Sequence, residues 1–79
     1  MHRIKDLITI DPETMGGQPV FKGTRVPVDS LFEQLEDGAS LYEFLEEFDT
    51  VSRDQAIAVM EIASQLLSKN IDEWYPAVA

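Results

Sequence analysis

The sequence contains no cysteine and a single histidine, and only six of its 79 residues are basic. Without cysteine the chain has no disulfide framework, no thiol nucleophile and no thiolate metal site, which favours a reducing cytoplasm. His2 stands near a terminus that is expected to fray, and without a second imidazole no conventional nucleophilic triad can be assembled. We therefore expect a protein that is not an enzyme and that holds neither a metal nor a cofactor.

Long apolar runs are also lacking. None approaches the roughly 20 residues that a membrane-spanning helix needs, and the first six residues do not resemble a signal peptide. A chain this short is expected to form a single domain and to bury only about 60% of its extended surface, so dimerisation or a partner is a natural source of stability. The sequence predicts a β-arm at 1–27, a three-helix bundle at 28–68 and a C-terminal tail at 69–79.

Charge is distributed unevenly along the chain. Residues 1–25 have four basic and three acidic side chains, a net charge of +1, whereas residues 26–79 have two basic and twelve acidic ones, a net charge of −10. A field of that sign repels phosphate groups and attracts basic surfaces. The helical part therefore suits a cationic protein partner better than unaided nucleic acid, although an acidic surface can also serve solubility alone.

The N-terminal part has the pattern of short strands and turns. Ile4–Ile10 is predicted to be a strand, which Asp11-Pro12 ends because proline cannot continue a ladder. Residues 15–19 are predicted to be a turn or loop. Residues 20–26 are predicted to form two extended arms that reverse near Lys22-Gly23, before Pro27 at the entry of a helix.

Two short helices are predicted next. The first covers residues 28–37, with Gly38 in the position where a left-handed residue ends a helix. Ser40 and Glu43 form a capping box that opens the second helix, at residues 41–48. Each helix is too short to persist alone, so both are expected to pack on a third.

The third predicted helix is the longest. Ser52 and Gln55 have the spacing of another capping box, which opens a helix at residues 53–67. Its apolar residues form a face wide enough to contact both shorter helices or a second chain, and they are Ala56, Val59, Met60, Ile62, Ala63, Leu66 and Leu67.

Helices two and three, joined by a short turn, resemble a helix-turn-helix, in which the later helix enters the major groove of DNA. Arg53 and Gln55 at the start of the third helix have donors suited to base edges, and Lys22 and Arg25 in the arm add positive charge. These four residues are the predicted DNA contacts. Arg25 has an alternative role, an intramolecular ion pair at a turn that sets register.

The acidic tail is aromatic. Ile71, Trp74 and Tyr75 are either a partner anchor of the kind that dominates interface energy or a segment that folds back to close a small core. Together with Glu61 on the third helix, they form the predicted partner-binding set.

Three runs of residues resemble the signature of a known family. They are Ile10-Asp11-Pro12-Glu13, Met15-Gly16-Gly17-Gln18-Pro19-Val20 and Lys22-Gly23-Thr24-Arg25-Val26-Pro27-Val28. Over residues 8–67 the chain resembles the bacterial and archaeal family catalogued as the domain of unknown function numbered four hundred and thirty-three. The signature and turn residues are Gly16, Gly17, Pro19, Gly23, Thr24, Arg25 and Pro27.

The resemblance implies a homeodomain-like three-helix bundle with an N-terminal β-hairpin arm, and the role of antitoxin in a toxin-antitoxin pair. In such pairs the toxin is a small ribonuclease resembling the PIN domain, and the antitoxin both blocks it and represses its own operon as a dimer. We accordingly expect a mainly α protein that dimerises through its β-arm and engages a basic toxin through its third helix and tail, with operator DNA as a further partner. The alternatives are a stand-alone helix-turn-helix regulator and a protein-interaction module with no nucleic-acid role.

Overall fold

The computed structural model describes residues 3–13 and 15–69. Its elements, in chain order, are α1 (Ile4–Leu7), β1 (Ile8–Thr9), a 3-10 turn (Met15–Gly17), β2 (Val20–Phe21), α2 (Val28–Glu36), α3 (Leu41–Glu47) and α4 (Arg53–Lys69). The two strands are antiparallel, with Ile8 opposite Phe21 and Thr9 opposite Val20. This small helical bundle with an N-terminal β-hairpin confirms the predicted fold class.

Helices α2 and α3 begin and end where local signals in the sequence place them. Gly38, with φ of 94°, follows the end of α2. Its N–H donates to the carbonyl of Leu35 at 3.1 Å, and the N–H of Ala39 donates to that of Gln34 at 2.9 Å. This pair of bonds satisfies carbonyls that the last turn of a helix leaves open, and it requires a residue that tolerates positive φ.

The capping box before α3 is complete. The Ser40 hydroxyl accepts the N–H of Glu43 at 3.1 Å, and the Glu43 carboxylate accepts the N–H of Ser40 at 2.9 Å. The equivalent pair before α4 is only half formed, since the Ser52 hydroxyl accepts the N–H of Gln55 at 3.1 Å while the Gln55 side chain is used elsewhere.

The predicted strand over Ile4–Ile10 is wrong in its first half. Residues 4–7 form one helical turn, and the N–H of Ile8 donates to the carbonyl of Ile4. Ile4, Leu7 and Ile8 fit the helical spacing i, i+3, i+4, so their pattern does not distinguish a strand from a helical turn. In the folded chain Leu7 is 8% exposed and belongs to the core, and the turn α1 packs against α4.

The core joins the arm to the bundle. Phe21 from β2, Leu31 from α2 and Phe44 from α3 are fully buried. The ring of Phe44 lies 6.1 Å from that of Phe21 and 4.9 Å from that of Phe48, measured between centroids. Helix α4 adds Ala56, Ala58 and Val59 from its first half.

The apolar face predicted for α4 continues past the buried part of the helix. Ile62 and Ala63 are half-buried, but Leu66 is 52% exposed and Leu67 is 60% exposed. The first half of α4 therefore belongs to the core, and the last turns project from it.

Candidate functional site

The first glycine pair of the signature lies in a left-handed turn. Met15, Gly16 and Gly17 have φ of 54°, 67° and 83°, and the N–H of Gln18 donates to the carbonyl of Met15 at 3.2 Å. An L residue with a side chain pays a steric cost in this region, and glycine does not. The two glycines are thus explained by the backbone conformation.

The second part of the signature is a tight turn held by a threonine. Gly23, at φ of 80°, stands at the third position of the turn from Phe21 to Thr24, where positive φ is required. The Thr24 hydroxyl donates to the carbonyl of Phe21 at 2.8 Å and accepts the N–H of Val26 at 3.0 Å. Gly23 and Thr24 therefore fix the direction in which the next residue, Arg25, leaves the turn.

Prolines 19 and 27 attach this turn to the bundle. The carbonyl of Pro19 accepts the N–H of Val28, the first residue of α2, at 3.0 Å. Pro27 lies opposite Val20 in an antiparallel bridge and immediately precedes α2, a position in which its fixed φ costs nothing. The whole signature thus builds one unit that connects β2 to α2.

A groove of about 700 Å³ opens on this unit. Its apolar lining comes from Val20, Val26, Pro27 and, from the end of α3, Phe48, and its polar lining includes Thr9, Asp11, Thr50 and Arg25. Arg25 is exposed and its side chain makes no hydrogen bond or ion pair with any residue that the structure describes. The predicted alternative of an intramolecular ion pair thus has no partner within residues 3–13 and 15–69. The guanidinium is available to a ligand.

Gln55 joins three segments that are far apart in the sequence. Its amide nitrogen lies 3.1 Å from the carbonyl oxygen of Lys22 and 3.3 Å from that of Leu7. The Gln55 amide, which was predicted to donate to a base, therefore donates to main-chain carbonyls of the arm instead. Lys22 and Arg53 are both exposed, and they belong to the two segments that the bond from Gln55 to the Lys22 carbonyl joins. We call these two cations, together with the exposed Arg25 of the same turn, the basic corner. Whether this corner contacts DNA stays a prediction.

Carboxylates cover the helical part of the molecule. Residues 26–69 contain ten of them, all exposed, against Arg53 and Lys69, and no ion pair joins the two sets within the described chain. Two are held by hydrogen bonds, since Glu47 accepts the Gln34 amide at 2.9 Å and Glu43 closes the capping box. Hydrogen bonds from the Ser40 main chain and, second, from its side chain lower the pKa of Glu43. We call the exposed carboxylates of α2 and α3 the acidic face; they are Asp29, Glu33, Glu36, Glu43, Glu46 and Glu47.

The predicted partner-binding set is only partly visible. Glu61 is exposed on α4, past the buried half of that helix. Ile71, Trp74 and Tyr75 lie outside the described residues, as does His2.

The sequence did not indicate that Phe48 and Thr50 line the groove, or that Gln55 bonds to the arm. Phe48 and Thr50 were interpreted only as the end of a helix and part of a turn, and they reach the groove through the packing of α3. Glutamine at the third position of a Ser-capped helix was interpreted as a cap. The carbonyls to which it donates, those of Leu7 and Lys22, cannot be identified before the arm is placed.

Residues 3–13 and 15–69 contain no group of three or more histidine, cysteine, aspartate or glutamate residues that could hold a metal ion. No helix in this part of the chain is long and apolar enough to cross a membrane.

The fold and the groove define a class: a small helical bundle whose β-hairpin and Gly-Thr-Arg turn form a ligand-accessible groove. The chain belongs to the family described as "Protein of unknown function (DUF433)", whose match covers residues 8–63. This confirms the resemblance noted in the sequence, and the matched region contains both glycine turns and all of α2 and α3. Searches of curated proteins and of solved structures find no match.

Proposed function

We propose that this chain is an antitoxin-like binding protein that neutralises a basic ribonuclease toxin of the PIN-like type. The observation that carries the proposal is the unpaired acidic surface: ten exposed carboxylates between residues 26 and 69 without an ion pair in the described chain. The toxin class and the toxin-antitoxin setting come from the family resemblance. The charge indicates which surface the toxin would use.

A ribonuclease must hold a polyanion, so its substrate-binding surface is basic. A protein with a dense negative face can cover such a surface and compete with RNA for it, and complementary fields also speed the encounter. In the isolated chain these carboxylates repel one another, and a cationic partner relieves that repulsion. The proposed toxin contacts are therefore the acidic face and Glu61, with Ile71, Trp74 and Tyr75 as apolar anchors.

The test is co-expression with the product of the adjacent gene, followed by a ribonuclease assay on that product with and without this chain. The informative variant is Glu36→Gln with Glu46→Gln, since both side chains are exposed and neither has a hydrogen bond to any described residue. Asp6→Asn with Glu13→Gln is the matched control, because it removes the same charge from the arm.

We expect a complex that suppresses nuclease activity, and about fivefold weaker inhibition by the first variant, given roughly 0.5 kcal/mol for each exposed charge pair. The control should inhibit like the parent chain. A neighbouring product that forms no complex, or equal inhibition by both variants, would contradict the proposal.

Operator DNA is a second candidate ligand, favoured by the basic corner of Lys22, Arg25 and Arg53. This reading requires affinity for the chain's own promoter that falls with salt and is lost in Arg53→Ala or Arg25→Ala. Lys69→Ala, at the other end of α4, is the control and should bind like the parent. If all three variants bind equally, the basic corner is not the DNA site.

A further inference from the structure

The lining of the groove beside Arg25 indicates the chemistry of its ligand. Most of its lining is apolar, from Val20, Val26, Pro27 and Phe48, yet it also includes an exposed guanidinium with no partner in the described chain. A ligand that satisfies both features carries an anionic group beside a bulky apolar one. Its anionic group must meet Arg25 and avoid the carboxylate of Asp11, which also lines the groove. On a chain with a net charge of −9, such a cation is also the natural attachment point for an acidic segment.

This chain contains a segment of that composition. Asp72-Glu73-Trp74-Tyr75 has two carboxylates followed by two aromatic rings. An acidic residue also directly precedes an aromatic one at Glu43-Phe44 and Glu47-Phe48. Those two aromatic rings already pack against each other, within α3 and at its end. The segment at 72–75 therefore matches the groove in both charge and apolar character.

The length of the chain bears on which copy supplies the segment. The groove lies at the start of α4, since Phe48 and Thr50 come just before Arg53. From Arg53 to Lys69 the helix extends about 24 Å, whereas the four residues from Lys69 to Glu73 span at most about 14 Å. The carboxylates of the same chain would therefore approach Arg25 only with this stretch fully extended along α4, whereas the segment of a second copy has no such restriction.

We propose that the groove receives Asp72–Tyr75 of a second copy, with the carboxylates on Arg25 and an aromatic ring against Phe48 and Pro27. Reciprocal exchange gives a closed two-fold dimer in which each groove is completed by the other chain. The β-arm offers a second chain few free main-chain groups to pair with. Strand β1 has only two residues, and the N–H of one of them, Ile8, already donates to the carbonyl of Ile4. The inference concerns the chain without a toxin, since Trp74 and Tyr75 cannot fill the groove of a second copy and contact a toxin at the same time.

Trp74 is the only tryptophan, so its fluorescence reports on this segment in the full-length chain. Emission is measured over a range of protein concentration, with sedimentation equilibrium on the same samples. The key variant is Arg25→Glu, because the exposed Arg25 side chain has no hydrogen bond or ion pair in the described chain to lose. Lys22→Glu is the matched control, since Lys22 is an exposed cation in the same turn and does not line the groove.

We expect emission that shifts to the blue as the dimer forms. In Arg25→Glu, association should weaken at least about tenfold because an attractive pair becomes a repulsive one, and it should be unchanged in Lys22→Glu. Combining Arg25→Glu with Asp72→Lys and Glu73→Lys should restore the dimer. Circular dichroism checks that each variant is folded.

Three results would overturn the proposal. Association that does not respond to Arg25→Glu would remove the groove from the interface. A blue-shifted emission that depends on Arg25 but not on concentration would assign the groove to the segment of the same chain. A triple variant that remains monomeric would exclude the carboxylates as the partners of Arg25.

Discussion

At the scale of single residues, Gln55 is a side chain that joins the arm to α4 by hydrogen bonds. Its amide bridges the carbonyls of Leu7 and Lys22, which are 48 and 33 residues away in the sequence. Each bond of this kind contributes on the order of 1 kcal/mol net. The Leu7 carbonyl also accepts the N–H of Lys22 at 2.8 Å, so it keeps one donor when the Gln55 amide is removed. The bridge therefore couples α1, the signature turn and the start of α4.

Gln55→Leu keeps the size of the side chain and removes both donors. We expect it to lower the free energy of unfolding by about 1 kcal/mol, because the partly buried bond to Leu7 is lost while the exposed carbonyl of Lys22 can turn to water. Urea denaturation measures this change. Gln65→Leu, at an exposed position of the same helix, should change the stability by less than half as much. Equal effects would mean that the bridge does not stabilise the fold.

At the scale of secondary-structure elements, the sequence predicts those elements whose ends are specified by residues close by in the chain. Helices α2 and α3 follow from Gly38 and the Ser40–Glu43 pair, which act within a few residues and need no tertiary contact. Residues 4–7 were misassigned because the same apolar spacing suits a strand or a helical turn, and the burial of Leu7 decides between them. The groove could be predicted only in part. The residues of the turn single out Arg25, but Phe48 reaches the groove through the packing of α3, which the sequence alone does not reveal.

The capping box before α3 gives stability that depends on pH. Because hydrogen bonds from Ser40 lower the pKa of Glu43 in the folded chain, its contribution is fully present above the unfolded pKa, usually about 4.3. It is lost as the pH falls through the lower, folded value. The difference in unfolding free energy between the parent and Glu43→Gln should therefore shrink steadily below about pH 4.3.

Urea denaturation at a series of pH values measures that difference. Ser40→Ala removes the partner and should cost about 1 kcal/mol near neutral pH. Glu46→Gln is the control on the same helix, since the Glu46 side chain has no hydrogen bond within residues 3–13 and 15–69. If the unfolding free energies of Glu43→Gln and Glu46→Gln differ from that of the parent with the same pH dependence, the capping box does not stabilise the ionised Glu43 carboxylate.

At the scale of the whole molecule, charge imbalance is the dominant feature. The formal charge is −9, and the carboxylates of α2, α3 and α4 are exposed without an ion pair in the described chain. Net charge of one sign destabilises a compact state through self-repulsion. At 0.01 M ionic strength the Debye length of about 30 Å exceeds the 10–12 Å diameter of a helix, so carboxylates on neighbouring helices interact. At 0.15 M it is about 8 Å, and most of this repulsion is screened.

Stability should therefore rise with ionic strength. Between 0.01 M and 0.2 M sodium chloride we expect the Tm to increase by about 5 °C, which corresponds to roughly 1 kcal/mol for a domain of this size. Glu36→Gln with Glu46→Gln should start from a higher Tm and show a smaller increase, because it removes part of the repulsion that salt screens. Scans in potassium and choline chloride separate screening from effects of a particular ion. A Tm that falls as salt is added would mean that attractive pairs outweigh the repulsion, and it would remove the basis for expecting a cationic partner on the acidic face.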